Sequence, residues 1–323
     1  MIDLNTVITD VELLKNRVCY VDGFAFTSLA NIGNSANIFD AIIIRNPECA
    51  QCFTPKLAGS FRTLTEHIDF INQHQLNKAL VIAVDIHFLK DCPSLQYLQV
   101  IPADTCDSFD FSPLYDMPNL CGLNCTTEFG THLLKQACVD YGFFPHLLDL
   151  DIAGKGNLHT NKLITLQRLN VSRNASRNLS EIISSPSLTS LSITQCAIRS
   201  LAGINCTDVL TNLSLWHNRS LSDVSEIVRF SKTLRSLSIE ACPQIKDFSF
   251  LNALQNLEHL ELIGKNGLPD LSFLSEMKKI THFVFDMNVE NGDLTPCLSV
   301  PYVFCRRNRK HYNFKNVDLP KNN

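Results

Sequence analysis

The sequence is poor in several things, and each shortage excludes something. Among 323 residues there is one tryptophan, there are four methionines, and only 19% of side chains are charged. Charge this far below the usual value of about 25%, beside 45% hydrophobic residues, excludes disorder over most of the length. Long apolar runs are missing as well. Stretches such as Ala41–Ile44 and Ala79–Val84 fall far short of the roughly 20 residues that span a bilayer, so no membrane partner is expected. Basic excess is absent too. A net charge of −4 argues against a globally basic nucleic-acid binder, and no nucleic-acid partner is expected. The opening Met1-Ile2-Asp3-Leu4-Asn5 is acidic where an export signal is basic, which leads to the expectation of a cytoplasmic protein. No G-x-S-x-G, H-E-x-x-H, Walker loop or dinucleotide glycine motif occurs. The expectation is therefore a protein that is not an enzyme and that carries no cofactor.

Cysteine, by contrast, is plentiful: 13 residues, an odd number. Without an export signal these read as free, buried thiols in a reducing compartment. Cys49 and Cys52 form a C-x-x-C pair, but structural zinc needs four ligands and no second pair stands at suitable spacing. The alternative they leave open is an enzyme with a cysteine-based site in the irregular N-terminal third. Sequons of the form N-x-[ST] begin at Asn124, Asn170, Asn174, Asn178, Asn205, Asn212 and Asn218. They would matter only in a secreted protein.

The dominant signal is internal repetition. The pattern L-x-x-L-x-L-x-x-N/C starts at residues 95, 120, 147, 166, 188, 210, 234, 257 and 280. Clear copies run Leu166–Asn174, Leu188–Cys196, Leu210–Asn218 and Leu234–Cys242. Alternation of this kind predicts a short strand with one buried face. The ninth position, a small polar group suited to bonding backbone in a tight turn, reads Asn174, Cys196, Asn218, Cys242 and Asn288, with departures at Lys155 and Lys265. After each turn comes a D-x-S segment, at Asp223-Val224-Ser225, Asp247-Phe248-Ser249 and Asp270-Leu271-Ser272. These segments are too short for a full helix and predict single 3₁₀ or helical turns.

Residues 90–290 thereby resemble the leucine-rich repeat family, and within it the bacterial-type, phosphatase-regulatory and internalin-like subclass. The resemblance implies an α/β solenoid: a leucine-rich repeat horseshoe with a parallel concave β-sheet and short 3₁₀/α convex segments, each repeat touching only its neighbours. The expected organisation is an N-terminal cap with divergent repeats over 1–90, the solenoid over 91–290, and a C-terminal cap and tail over 291–323. A separate small α/β domain at 1–75 is the alternative. Helices are predicted at Asp10–Asn16, Thr63–Leu76 and Thr131–Tyr141, and strands at Val18–Val21, Ala41–Ile44 and Lys78–Val84. The segments Asn308–Asn313 and Asp318–Lys321 also resemble C-terminal caps of bacterial leucine-rich repeat proteins, some of which lie beside toxin genes.

In this register the third, fifth and seventh positions face away from the leucines. Arg168 and Asn212 occupy the third. Trp216, the sole tryptophan, occupies the seventh amid serine and threonine. Beyond it lies a cluster of Glu240, Glu258, His259, Glu261, His282 and Asp286. A large ring over small neighbours is the usual type of docking anchor. Against it stands the reading that the ring folds down over the serines. The acids imply a partner with a basic surface. His259 and His282, with Glu261 and Asp286, also raise a metal site, but an exposed polar ladder is expected and no metal. The Arg306–His311 run reads as a solvated cap. The sequence thus predicts a monomeric, non-catalytic recognition module that binds another protein. A toxin-neutralising, immunity-type role and an enzyme-regulatory role both remain open, and a secreted adhesin is the third alternative.

Overall fold

The structure, a computed structural model, describes residues 41–45, 64–102, 108–125, 128–129, 132–133, 139–154, 157–177, 179–180, 182–204 and 209–322. The chain divides into two compact units, Met1–Leu166 and Gln167–Asn323. The predicted elements at Asp10–Asn16 and Val18–Val21, and the Cys49/Cys52 pair, lie outside the described residues.

In the second unit seven strands pair in parallel: Arg168–Ser172, Ser190–Thr194, Asn212–Trp216, Ser236–Glu240, His259–Ile263, His282–Phe285 and Tyr302–Cys305. Their register stacks the fourth repeat position into one file: Leu169, Leu191, Leu213, Leu237, Leu260, Phe283 and Val303. The sixth position forms a second: Val171, Ile193, Leu215, Ile239, Leu262, Phe285 and Cys305. Every member of both files is buried. This is the core, and it grows along the array because each side chain meets its equivalent one strand away, about 4.8 Å on. The last strand, Tyr302–Cys305, falls in the stretch predicted to be a cap. It carries the same alternation without leucine.

The strands end in a repeated backbone conformation. Residues at the eighth position, Arg173, Gln195, His217 and Ala241, all have φ of 51–55°. That region costs an L-residue roughly 1–2 kcal/mol. Each nevertheless donates its N–H to the next strand, to the carbonyls of Thr194, Trp216, Glu240 and Ile263 at 2.8–2.9 Å. The ninth position then closes the turn. Asn218 is fully buried; its Oδ1 accepts from the Cys196 N–H at 2.9 Å and its Nδ2 donates to the Ile193 carbonyl at 2.7 Å. The Cys196 and Cys242 thiols reach the Val171 and Leu215 carbonyls at 3.6 and 3.5 Å. Where Lys265 breaks the pattern, Asn266 takes over one residue later and donates to the carbonyls of Cys242 and Ile245.

The opposite side of each repeat is short, as predicted: 3₁₀ turns at Ser225–Phe230, Ser249–Ala253 and Thr295–Ser299, and a single helical turn at Phe273–Glu276. An aspartate starts each one. Asp223, Asp247, Asp270 and Asp293 accept the N–H two residues on at 2.8–3.0 Å. An Asx turn pre-forms the bend and leaves no room for a longer helix.

Beyond the last strand the chain doubles back. The Val303 N–H donates to the Pro320 carbonyl at 2.9 Å, and the Asn322 N–H to Pro301 at 3.0 Å. Residues 320–322 therefore cover an edge that would otherwise expose unpaired backbone groups. Tyr312 is packed beneath. Its hydroxyl donates to the Met287 carbonyl at 3.2 Å and accepts the Val289 N–H at 3.0 Å. It thus does for this turn what the Asn218 amide does for an earlier one, a task the sequence assigned to Asn288.

In the first unit Ala41–Arg45, Lys78–Ala83, Tyr97–Pro102, Gly122–Cys125 and Asp149–Ala153 pair in parallel, with Leu98, Leu123 and Leu150 in one buried file. A helix at Leu64–His74 stands where the capping pattern predicts one. The helix predicted over Thr131–Tyr141 is not what the described residues form. His132–Leu133 pairs with Glu128–Phe129, and Val139–Asp140 pairs in parallel with Asn157–Leu158. Asp140 explains the second pairing: its carboxylate accepts the Gly142 N–H at 2.9 Å and bonds His159 at 2.7 Å, which ties the segment to the following repeat.

Candidate functional site

The outer face of the second unit's sheet collects most of the residues the sequence singled out. The register aligns Asn212, Ser236, His259, His282 and Tyr302 in one file, and Ser214, Ser238, Glu261, Val284 and Phe304 in the next. Trp216 stands beside Glu240 in a third file, with Thr194 on its other side. Alternation along each strand points these side chains away from the leucines. Arg168 shares the face, half-buried and two strands from Asn212.

Trp216 is 41% exposed, and its ring leans toward His217, with centroids 5.4 Å apart. The ring is thus only partly covered by its surroundings. The His259 and His282 rings stack at 4.6 Å, and Tyr302 continues the stack at 5.3 Å from His282. Phe304 is 38% exposed, and the Lys321 ammonium lies 5.7 and 5.4 Å over the Tyr302 and Phe304 rings. Stacked imidazoles do not converge on a common point, and among the described residues no three His, Cys, Asp or Glu side chains gather to hold a metal.

Two expectations for this face are corrected. Asp286 does not project from it. The residue is 7% exposed, and its carboxylate accepts the Gly264 N–H at 2.6 Å. There it replaces the strand carbonyl that this amide meets in the earlier repeats. Nor is the acidic cluster uncompensated. Glu258 pairs with Arg235 at 3.5 Å, Glu261 with Arg306 at 3.0 Å, and Asp286 with Arg307 at 3.4 Å. The Arg306–His311 run is therefore partly a set of counter-ions and not a free basic cap. This removes the ground for expecting a broadly basic partner surface.

Sequence reasoning passed over Tyr302, Phe304, Arg306 and Lys321 as parts of this face. The signal was present for two of them: Tyr302-Val303-Phe304-Cys305 alternates like every other strand, with valine and cysteine in the leucine positions.

The described cysteines are free thiols. Burial pushes the Cys92 thiol up to about 11 and Cys297 to about 12, and raises Cys125, Cys196 and Cys242 as well. A thiol that stays protonated at neutral pH is a poor nucleophile. Asn218 can serve no sequon in the folded chain, because its amide is fully buried.

Comparison with known proteins sets this geometry among relatives. No protein-family model matches the sequence, and no curated protein does. An internalin of Listeria monocytogenes is similar in structure at 19% identity, with a TM-score of 0.52 over 72% of this chain and 67% of that one. The functional domain of InlJ from the same species, which includes a cysteine ladder, matches at 17% identity and a TM-score of 0.45, over 66% of this chain and 44% of that one. The ectodomain of the Arabidopsis receptor kinase HAESA, in complex with a peptide hormone, matches at 17% identity and a TM-score of 0.44, over 69% of this chain and 39% of that one. This chain spans less than half the length of those last two. The phased register, the parallel ladder and the likeness to the first internalin show that the chain has the leucine-rich repeat fold.

Proposed function

We propose that the protein is a non-catalytic recognition module that binds another protein on the outer sheet face of residues 167–323, with Trp216 as its anchor. The observation that carries this reading is the exposure of the sole tryptophan on a regular strand, above small residues. An aromatic ring held on rigid sheet loses little freedom when a partner covers it, and such anchors contribute about 2 kcal/mol or more to binding. Seven strands about 4.8 Å apart, four or five residues long at about 3.3 Å per residue, present roughly 500 Å². A standard interface covers about 800 Å² per partner, so the partner also engages one rim of the sheet. The free thiols favour a reducing, cytoplasmic setting. Toxin neutralisation and enzyme regulation are both roles that such a monomeric binder would fill.

The test is affinity capture from source-cell lysate with the wild-type chain and with Trp216→Ala, read by mass spectrometry. The expected result is a partner retained by wild type and lost by the variant while the variant's unfolding transition is unchanged. Equal capture by both would overturn the anchor.

A further inference from the structure

Glu240 differs from every other acid on this face. Glu258 and Glu261 each have an arginine within 3.0–3.5 Å, and Glu261 also accepts a hydrogen bond from the Ser238 hydroxyl at 3.0 Å. Glu240 has no ion-pair or hydrogen-bond partner for its carboxylate among the described residues. It is half-exposed, and the register sets it directly beside Trp216 on the adjacent strand, about 4.8 Å away along the sheet. The neighbouring outward positions, Ser214 and Ser238, are too small to cover either group.

An exposed indole beside an unpaired carboxylate, above a low floor, suits one kind of ligand group. A guanidinium can lay its flat face on the ring and aim two N–H groups at the carboxylate. Lysine can pair with Glu240, but its compact, strongly hydrated ammonium gains nothing from planar stacking. We infer that Trp216 and Glu240 form a receptor for a single arginine side chain on an extended segment of the partner protein. The inference rests on the reading of this face as the docking surface and narrows it. The partner brings one guanidinium in place of a basic patch, because Glu258 and Glu261 already hold arginines of this chain, which leaves Glu240 as the carboxylate of this face open to a partner's cation.

The only tryptophan in the chain is itself the reporter, so its fluorescence reads the site without a label. The full chain is titrated at low salt with the peptide Gly-Ser-Arg-Ser-Gly and with its lysine and citrulline counterparts. Citrulline keeps the shape of arginine and drops the charge. The expected result is a saturable emission change with the arginine peptide and affinity lower by about tenfold for citrulline, the factor equivalent to about 1.4 kcal/mol. Glu240→Gln is expected to abolish that difference while leaving the unfolding transition unchanged. Equal binding of the arginine and citrulline peptides, absence of arginine-peptide binding, or a preference that survives Glu240→Gln would each overturn the receptor. A partner captured through Trp216 but indifferent to Glu240→Gln would leave the docking face standing and remove only the arginine assignment.

Discussion

Replacing Asn218 by alanine probes the turn that joins one repeat to the next. The side chain is fully buried and makes two hydrogen bonds to the preceding repeat, one accepted from the Cys196 N–H and one donated to the Ile193 carbonyl. Alanine leaves both backbone groups buried without partners. Each such group costs about 1–3 kcal/mol, so the variant should lose roughly 2–6 kcal/mol, a large share of the 5–15 kcal/mol that holds a typical domain together. Asn218→Cys provides the internal comparison. The equivalent positions already hold Cys196 and Cys242, whose thiols reach the Val171 and Leu215 carbonyls at 3.6 and 3.5 Å. A thiol is a weaker donor and acceptor than an amide, so Asn218→Cys should lose less than the alanine variant does. Repeat arrays need not unfold in one step, so the assay pairs urea denaturation with amide hydrogen exchange. The Cys196 amide should lose its protection in the alanine variant before the rest of the sheet does. A destabilisation under about 0.5 kcal/mol, the scale of ordinary surface changes, would refute the turn assignment and with it the register.

Further outcomes follow from the same framework. Leu213→Ala, in the buried fourth-position file, should cost about 2–5 kcal/mol by urea denaturation. Ala241 sits at φ 52°, where a β-branched residue is a severe misfit, so Ala241→Val should destabilise by more than about 1 kcal/mol; an unchanged midpoint would contradict the backbone conformation. Hydrogen bonds from Ser225, Ser249, Ser272 and Thr295 hold the carboxyls of Asp223, Asp247, Asp270 and Asp293 below their ordinary range. Carboxylates depressed in the fold stabilise it above the unfolded pKa of about 3.9 and stop doing so as pH falls through the lowered folded values. The melting temperature should accordingly fall on acidification below about pH 4, and Asp270→Asn should flatten that fall.

Much of the second unit could be read from the chain because each of its rules is local. Leu213, Leu215 and the serine between them obey a period of two, and Asp247 meets Ser249 two residues away. Those signals locate strands, buried files, turns and Trp216. What escaped is long-range. Tyr312 fills the turn at Met287 from 25 residues away, and Arg306 neutralises Glu261 from 45 away. Neither leaves a trace in spacing. Asp286 looked outward because its position in the repeat alternates away from the leucines, as Trp216 and Glu240 do. Its carboxylate turned inward because no following strand carbonyl meets Gly264. The helix expected at Thr131–Tyr141 failed for a related reason: Asp140 gains partners in Gly142 and His159 that no helical period encodes.

The strap formed by residues 320–322 has a consequence for assembly. A parallel ladder is a templating surface, ready to accept one more copy of the same strand and then another, as a crystal face accepts another layer. Val303 and its neighbours are that growth front, and the antiparallel strap occupies it with backbone running the wrong way to propagate. A strand laid antiparallel on this edge leaves no matching template on which another parallel strand could add.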